Sequence, residues 1–292
     1  MTTEIYYFSG TGNSLAVARD IAEKTGGKLI SIPSVIHSDH IITEADVIGI
    51  VFPVYYVGLR YIPLIIQDFV NKLENINTKY IFAVCTYGGG SGQTLNLLDT
   101  LVKSRGGRLA AGFGVQMPQN AFDKPLENKE KLFNNWKKKK LISICEYVNA
   151  GKTGYFDTDG PLSKLVIGIL VSMTKQPFLR PVFIKSIYHA ADCQNDLGKP
   201  FAEVMPLIDR SYRADEHCTG CGICANVCPV ANIKMVDHKP EWLHHCENCL
   251  ACMNWCPQKS IHGNAELPNL KRYHHPEVKL SDVLRPDDAR RL

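Results

Sequence analysis

Hydrophobic and polar positions follow two different periods along the first half of the chain. Short apolar runs predict strands, and stretches with apolar residues three or four positions apart predict amphipathic helices between them. The predicted strands are Glu4–Phe8, Lys28–Ser31, Asp46–Phe52, Tyr80–Cys85 and Arg108–Val115. The predicted helices are Ser14–Thr25, Ile62–Leu73, Thr94–Ser104 and Asn128–Asn149. Strands that alternate with helices predict an α/β fold, here a five-stranded doubly wound parallel sheet in the order 2-1-3-4-5.

The pattern divides the chain into four parts. Residues 1–150 form the predicted sheet domain, and residues 151–210 form a helical linker segment with short helices predicted near Leu162–Thr174 and Pro181–Ala190. Residues 211–262 are rich in cysteine, and residues 263–292 are a polar tail that carries Arg272-Tyr-His-His-Pro276. The role of the linker segment and of the tail is left open by the sequence.

Charge and hydropathy exclude several classes of protein. A formal net charge of +4 over 292 residues is too small to indicate a nucleic-acid-binding protein. The densest basic patch, Lys137–Lys140, is expected to be a solvated helix face. The longest apolar run, Leu165–Met173, is too short to cross a bilayer, and the first residues lack the basic start of a signal peptide. We therefore expect a soluble, cytoplasmic protein without a transmembrane segment.

Cysteine is unevenly distributed, because eight of the 11 cysteines lie between Cys218 and Cys256. They form two copies of C-x2-C-x2-C-x3-C-P, and the second copy begins 28 residues after the first, at Cys246. Export-related disulfides are disfavoured because the chain is long, lacks an export signal and repeats its cysteine spacing.

Each copy has the four thiolates that one [4Fe–4S] cluster requires. Three closely spaced cysteines wrap one cluster, and the fourth leads away and reaches the other cluster. One cluster is therefore predicted on Cys218, Cys221, Cys224 and Cys256, and the other on Cys246, Cys249, Cys252 and Cys228. Zinc is the alternative, but zinc sites use two pairs of ligands rather than repeated triplets followed by Cys-Pro. Over residues 213–262 the pattern resembles the bacterial two-cluster ferredoxins.

Three loops follow predicted strands and are rich in small, neutral residues. The first loop, after the first strand, has backbone N–H groups and hydroxyls that can donate to a phosphate at a helix N-terminus, and it contains no lysine or arginine. It does not fit a P-loop or a dinucleotide-binding loop. Its residues are Ser9, Gly10, Thr11, Gly12, Asn13 and Ser14.

The spacing S-x-T-G-x-S in the first loop resembles the phosphate loop of flavodoxins, which bind FMN at the carboxyl ends of their strands. The resemblance implies that two further loops hold the isoalloxazine ring, and it leaves open whether Tyr55, Tyr56 or Tyr87 stacks on it. The second loop contributes Pro53, Val54, Tyr55, Tyr56 and Gly58. The third contributes Thr86, Tyr87, Gly88, Gly89 and Gly92. The alternative is that these tyrosines are packing residues and that the glycines merely turn the chain.

As a whole, the chain resembles the fused flavodoxin–ferredoxin proteins of anaerobic microbes. The resemblance implies an electron-transfer protein that relays electrons between FMN, two [4Fe–4S] clusters and redox partners such as a ferredoxin-type donor or acceptor or a reductase. The first alternative is a flavin-dependent reductase of a small acceptor fed by the clusters. The second is a sensor that responds to cluster loss. The sequence indicates no catalytic residue and does not determine the oligomeric state or the direction of electron flow.

Overall fold

The computed structural model of the chain describes residues 1–55, 61–120, 126–157, 169, 185, 188–193, 198–263 and 272–284, with only the backbone of residues 126–128. The described residues fall into two compact units. The first lies within Met1–Gln119 and Lys124–Gly160, and the second lies within Asn120–Asp123 and Pro161–Leu292.

The first unit is built around a parallel sheet of six strands in the order β2-β1-β4-β6-β7-β8. A separate parallel pair, β3 with β5, is also present. The strands of the unit are β1 Thr3–Tyr7, β2 Lys28–Ser31, β3 Ile41–Ile42, β4 Val47–Pro53, β5 Leu73–Glu74, β6 Tyr80–Tyr87, β7 Leu109–Gln116 and β8 Tyr155–Phe156.

Helices connect these strands. They are α1 Asn13–Thr25, α2 Ile32–Val35, α3 Leu64–Lys72, α4 Thr94–Ser104, α5 Leu126–Asn135 and α6 Leu141–Asn149. A π-helical segment, Trp136–Lys140, joins α5 to α6, so the helix predicted over Asn128–Asn149 is one long helical stretch with an irregular centre. The buried indole Nε1–H of Trp136 donates to Asp20 Oδ2 at 2.7 Å, which ties this stretch to α1.

The five predicted strands are confirmed within two residues at each end, and their order 2-1-3-4-5 is confirmed. The sheet has one strand more than predicted: β8 pairs in parallel with β7. A strand of two residues has no measurable period, so the sequence could not reveal it. β8 and Asp157, which follow residue 150, belong to the first unit.

The central strands are apolar on both faces because helices cover both faces of the sheet. Six of the seven residues of β4 and seven of the eight of β7 are buried. Close packing at the centre leaves no room for a side chain at Gly49, since a Cβ atom there would lie 2.7 Å from Ile5 Cδ1 and from Phe82 Cζ.

The second unit contains short elements. Its strands are β9 Arg213–Ala214, β10 Ile233–Val236, β11 Lys239–Trp242 and β12 Ile261–His262. Its helices are α7 Phe201–Val204, α8 Ile223–Asn226 and α9 Ala251–Asn254, with 3-10 helices at Met205–Ser211 and Leu280–Asp282. β10 and β11 form an antiparallel hairpin, and β9 pairs antiparallel with β12.

The 28-residue repeat is visible in the backbone. α8 and α9 occupy equivalent positions, and each follows a residue in the left-handed conformation, Gly222 with φ 75° and Leu250 with φ 58°. Leucine rarely adopts this conformation, so the second repeat keeps the local geometry of the first at a cost in backbone strain.

The helices predicted at Leu162–Thr174 and Pro181–Ala190 lie mostly outside the described residues. In the part of the chain that the structure describes, no helix combines the length and the apolar character needed to cross a membrane.

Gly49→Ala should lower the free energy of unfolding of the first unit by about 1–3 kcal/mol, because the added methyl group overpacks the centre of the sheet. Urea denaturation followed by circular dichroism measures this. Gly151→Asn is the matched control, since Gly151 has φ 60°, a Cβ atom added there would meet nothing within 4 Å, and asparagine tolerates that conformation. Equal stability of the two variants would contradict the packing argument.

Candidate functional sites

The carboxyl edge of the sheet in the first unit brings the predicted loops together. The first loop, Ser9–Ser14, curls at Gly12, whose φ of 97° is left-handed and whose N–H donates to Ser9 Oγ at 3.1 Å. Asn13 Nδ2 donates to the carbonyl of Pro118, just after β7, at 2.8 Å. Ser14 Oγ and Thr86 Oγ1 form a buried hydrogen bond of 2.8 Å. Segments that follow β1, β6 and β7 are thus linked by side chains of the first loop.

The N-terminus of α1 has the features of an anion-binding site. Helix α1 has 13 residues, no side-chain hydrogen bond caps its start, and its first turn contains no acidic residue. The first N–H groups of a helix lack partners within the helix, and the helix dipole adds a partial positive charge at this end. A phosphate at this loop would accept hydrogen bonds from those N–H groups, and no acidic side chain of the first turn would repel it.

The second loop is described only as far as Tyr55, and Tyr56 and Gly58 lie outside the described residues. Val54 N–H donates to the carbonyl of Thr86 at 2.8 Å, which joins the second loop to the third. The half-buried ring of Tyr55 meets Phe8, at the end of β1, edge to face at 6.5 Å between centroids. The ring of Tyr55 therefore lies at the carboxyl ends of β1 and β4.

The third loop, Thr86–Gly92, lies against the segment after β7. Tyr87 packs on β7, since a Cβ atom on Gly114 would lie 2.9 Å from Tyr87 Cε1. A Cβ atom on Gly88 would overlap the side chain of Gln119, so a larger residue there would require that side chain to move. Met117 N–H donates to the Tyr87 carbonyl at 2.8 Å. Gly92 has φ 56°, which requires a residue that tolerates the left-handed region.

Sequence reasoning missed Asp157, which follows β8 and supports the third loop. Its Oδ2 accepts hydrogen bonds from Lys140 Nζ at 2.6 Å and from Gly114 N–H at 3.3 Å. Its carbonyl accepts a hydrogen bond from Ser91 Oγ at 3.3 Å. The basic patch Lys137–Lys140 is therefore not uniformly solvated: Lys137 to Lys139 are exposed, but Lys140 is half-buried in an ion pair.

In the second unit, four of the cysteines line one pocket that opens to solvent. Three come from the first repeat, Cys218, Cys221 and Cys224, and the fourth is Cys256 from the second repeat. Cys224 is buried and Cys221 is exposed. The Ser260 hydroxyl, which also lines the pocket, lies 3.4 Å from Cys256 Sγ.

The other four cysteines are also neighbours and lie deeper. Cys246, Cys249 and Cys252 influence one another's ionisation, and Cys228 of the first repeat acts on both Cys249 and Cys252. Backbone N–H groups donate to two of the sulfurs: Asn248 to Cys246 Sγ and Asn232 to Cys228 Sγ, each at 3.2 Å. Asn120 Nδ2 donates to the carbonyl of Cys249 at 3.1 Å.

Burial dominates the electrostatics of these thiols. Desolvation raises the pKa of Cys224 and of Cys249 to about 12, and neighbouring cysteines add to the rise. Desolvation also raises the pKa of Cys246 and Cys252 well above the usual thiol value, although the Trp242 indole N–H lowers that of Cys252. Buried thiols ionise when a bound cation offsets the lost hydration, which suits ligands of a metal centre.

The cysteine side chains of each set surround a volume and do not converge on one position. Within the described ranges, no three His, Cys, Asp or Glu side chains come close enough together to hold a single metal ion. Four cysteines around a pocket fit a cluster of several atoms better than they fit one tetrahedral ion.

A buried polar network supports the second set of cysteines. The buried carboxylate of Asp209 pairs with His244 Nδ1 at 2.8 Å and accepts a hydrogen bond from Asn232 Nδ2 at 2.6 Å. The Tyr212 hydroxyl donates to Asn248 Oδ1 at 2.7 Å. Except for Asn248, which lies between Cys246 and Cys249, these residues lie outside the cysteine motif, so no sequence signal pointed to them. His245 Nε2 lies 3.0 Å from the Val230 carbonyl, which gives the ring a partner other than a cysteine.

Comparison with known proteins gives one family match. Residues 210–257 match the family described as the 4Fe-4S dicluster domain. The chain therefore combines a doubly wound parallel sheet with a segment that matches the 4Fe-4S dicluster domain. No curated protein matches the chain.

Solved structures similar to the chain include flavodoxins. A putative flavoprotein from Bacteroides uniformis is 20% identical, with a TM-score of 0.34, covering 47% of this chain and 98% of its own. A flavodoxin from Streptococcus pneumoniae is 19% identical, with a TM-score of 0.34, covering 49% of this chain and 99% of its own. A flavodoxin from the domain Archaea is 21% identical, with a TM-score of 0.33, covering 51% of this chain and 99% of its own.

In metal-free protein, Cys224 and Cys249 should react slowly with iodoacetamide at pH 8. Four pH units below a pKa of about 12, roughly one thiol in ten thousand is ionised, and the thiolate is the nucleophile. The rate should therefore rise about tenfold per pH unit between pH 8 and 10. Peptide mass spectrometry measures this, with the exposed Cys221 expected to be modified first. Equal labelling of all three at pH 8 would contradict the burial described above.

Proposed function

We propose that the protein is an electron carrier that relays electrons between one FMN in the first unit and two [4Fe–4S] clusters in the second. The observation that carries the proposal is the pocket lined by Cys218, Cys221, Cys224 and Cys256. A ligand set drawn from both repeats is the arrangement of a two-cluster module, in which the fourth cysteine of each motif serves the other cluster.

The chemistry of the donor set supports iron–sulfur clusters. Each set offers four sulfurs, and the second set, which is the more deeply buried one, also receives N–H donors at Cys228 and Cys246. Bound there, a [4Fe–4S] cluster would supply one-electron transfer. The chain would hold the cluster with four thiolates, lower its solvent exposure and stabilise sulfur charge through N–H···S hydrogen bonds. Full ligation by cysteine leaves no iron position for a substrate.

The carboxyl edge of the first unit supports FMN. The first loop would hold the phosphate with neutral donors, among them the hydroxyls of Ser9 and Thr11 and the N-terminus of α1. In a sheet of this topology, ligands bind in the crevice outside the carboxyl ends of the strands. FMN supplies one- and two-electron chemistry there. The glycines of the third loop would let the backbone approach the ring.

The packing of the tyrosines favours Tyr55 over Tyr87 as a ring contact. Tyr87 lies on β7 against Gly114, whereas Tyr55 lies at the end of β4 beside Phe8. Tyr55 would therefore cover one face of the isoalloxazine, and Tyr87 would support the third loop from behind.

External partners would be one-electron redox proteins, a ferredoxin-type donor or acceptor or a reductase. The cluster on Cys218, Cys221, Cys224 and Cys256 would serve as the contact for them, because Cys221 is exposed and the pocket opens to solvent. A solvent-exposed ligand shortens the path from a bound partner to the cluster.

Protein purified without oxygen should contain about eight iron, eight sulfide and one FMN per chain. Cys221→Ser and Cys249→Ser should each lose one cluster, about four iron, and keep FMN. Cys193→Ser is the matched control, because Cys193 is buried outside the repeats and should keep all iron. Metal analysis, absorbance and EPR spectroscopy measure this. Zinc in place of iron, or a preparation without flavin, would refute the proposal.

Asp157→Asn should weaken FMN binding by about three- to tenfold, because residue 157, whose carbonyl accepts a hydrogen bond from Ser91 of the third loop, loses its ion pair with Lys140. Titration of the flavin fluorescence measures the Kd, and Lys140→Gln should act in the same direction. Lys139→Gln removes the same charge from an exposed neighbour and should leave the Kd unchanged. A Kd for Asp157→Asn equal to that of Lys139→Gln would show that this ion pair has no role in the flavin loop.

A further inference from the structure

The polar tail motif Arg272-Tyr-His-His-Pro276 lies in the second unit and packs on the segment that carries Cys256. Tyr273 and His275 are buried, at 7% and 2% exposure, although the sequence around them is polar. The burial of these side chains indicates that the motif contributes to the packing of the second unit. We call residues Arg272–His275 the strap.

The strap holds the residues directly before Cys256. Tyr273 N–H donates to Asn254 Oδ1 at 2.7 Å, and Asn254 Nδ2 donates to the carbonyl of Leu250 at 2.9 Å, which fixes the end of α9. The ring of His274 stacks on Trp255, with centroids 4.3 Å apart and planes within 15°. The two residues that precede Cys256 are therefore both in contact with the strap.

The strap also holds the residues that follow Cys256. Arg272 Nη2 donates to the carbonyl of Ile261 at 2.6 Å and to that of Lys259 at 3.3 Å. Ile261, like Cys256, lines the pocket of the first cysteine set. The chain on both sides of Cys256 is thus held by three consecutive residues of the tail, Arg272, Tyr273 and His274.

The first repeat needs no such strap, because a hairpin follows its own fourth cysteine. Ile233, the equivalent of Ile261, begins β10, which pairs with β11 over four residues. The equivalent strand of the second repeat, β12, pairs with β9 over only two residues. Cys228 is therefore followed by a hairpin paired over four residues, whereas the segment after Cys256 is held by a strand pair of two residues, by contacts of Ser260 and His262 with Asp215, and by the strap.

We propose that the strap is a positioning element that keeps Cys256 in place as the fourth ligand of the cluster on Cys218, Cys221 and Cys224. This inference rests on the proposed function, since it requires that cluster. The strap acts through Asn254, Trp255 and the carbonyls of Lys259 and Ile261. Outer-shell partners of metal ligands affect metal affinity in this way, typically by 10- to 100-fold.

The test compares Arg272→Met and His274→Ala with Lys279→Met in the full chain. Lys279 is exposed in the same tail, so its substitution removes an equal charge without touching the segment of Cys256. Under anaerobic challenge with an iron chelator, the strap variants should release about four of eight irons at least tenfold faster than Lys279→Met. The remaining EPR spectrum should match that of Cys221→Ser, and FMN content should not change.

Two results would overturn the strap alone: release rates equal to that of Lys279→Met, or early loss of the cluster whose spectrum is missing in Cys249→Ser. Wild-type protein without iron would instead refute the proposed function and the strap with it. If Arg272→Met does not accumulate as folded protein, His274→Ala still decides the question, because it removes only an exposed ring.

Discussion

The second unit depends on one constraint: the fourth cysteine of each repeat lies with the first three cysteines of the other repeat. Cys256 belongs by sequence to the second motif but lines a pocket with three cysteines of the first. Cys228 of the first motif in turn lies among the cysteines of the second. Under the proposed function, neither repeat would therefore supply a complete set of cluster ligands by itself. Ligand binding and the folding of the repeats are coupled, because a site that needs both repeats exists only when both are in place.

The candidate site of the first unit is likewise built from segments that are distant in sequence. Its candidate phosphate loop is one segment, but side chains from it reach the ends of two other strands through Asn13 and Ser14. The loops at the carboxyl edge therefore behave as one connected structure. Asp157 extends the connection to β8, the strand at the edge of the sheet.

The sequence predicted the parts of this protein that follow a period or a fixed spacing. The strands of the sheet are apolar runs, so their existence, order and approximate ends could be predicted. The grouping of Cys256 with the first triplet followed from the spacing of the motif, and the structure brings those four residues to one pocket. The assignment of FMN, of two clusters and of individual ligands stays a prediction.

What the sequence could not reveal depends on contacts between distant segments. Asp157 follows a strand of two residues, and its partners Lys140, Gly114 and Ser91 lie 17 to 66 positions away. Asp209 and the strap are similar cases, because their partners are identified only by the fold.

The assignment of Asn120 to the second unit has a consequence for taking the protein apart. The chain belongs to the first unit up to Gln119, Asn120 belongs to the second unit, and β8 further along belongs again to the first. Asn120 contacts the carbonyl of Cys249, so the second unit is discontinuous in sequence. A single cut near residue 160 would give two fragments of which one lacks a native piece, so dissection by one truncation does not yield two intact halves.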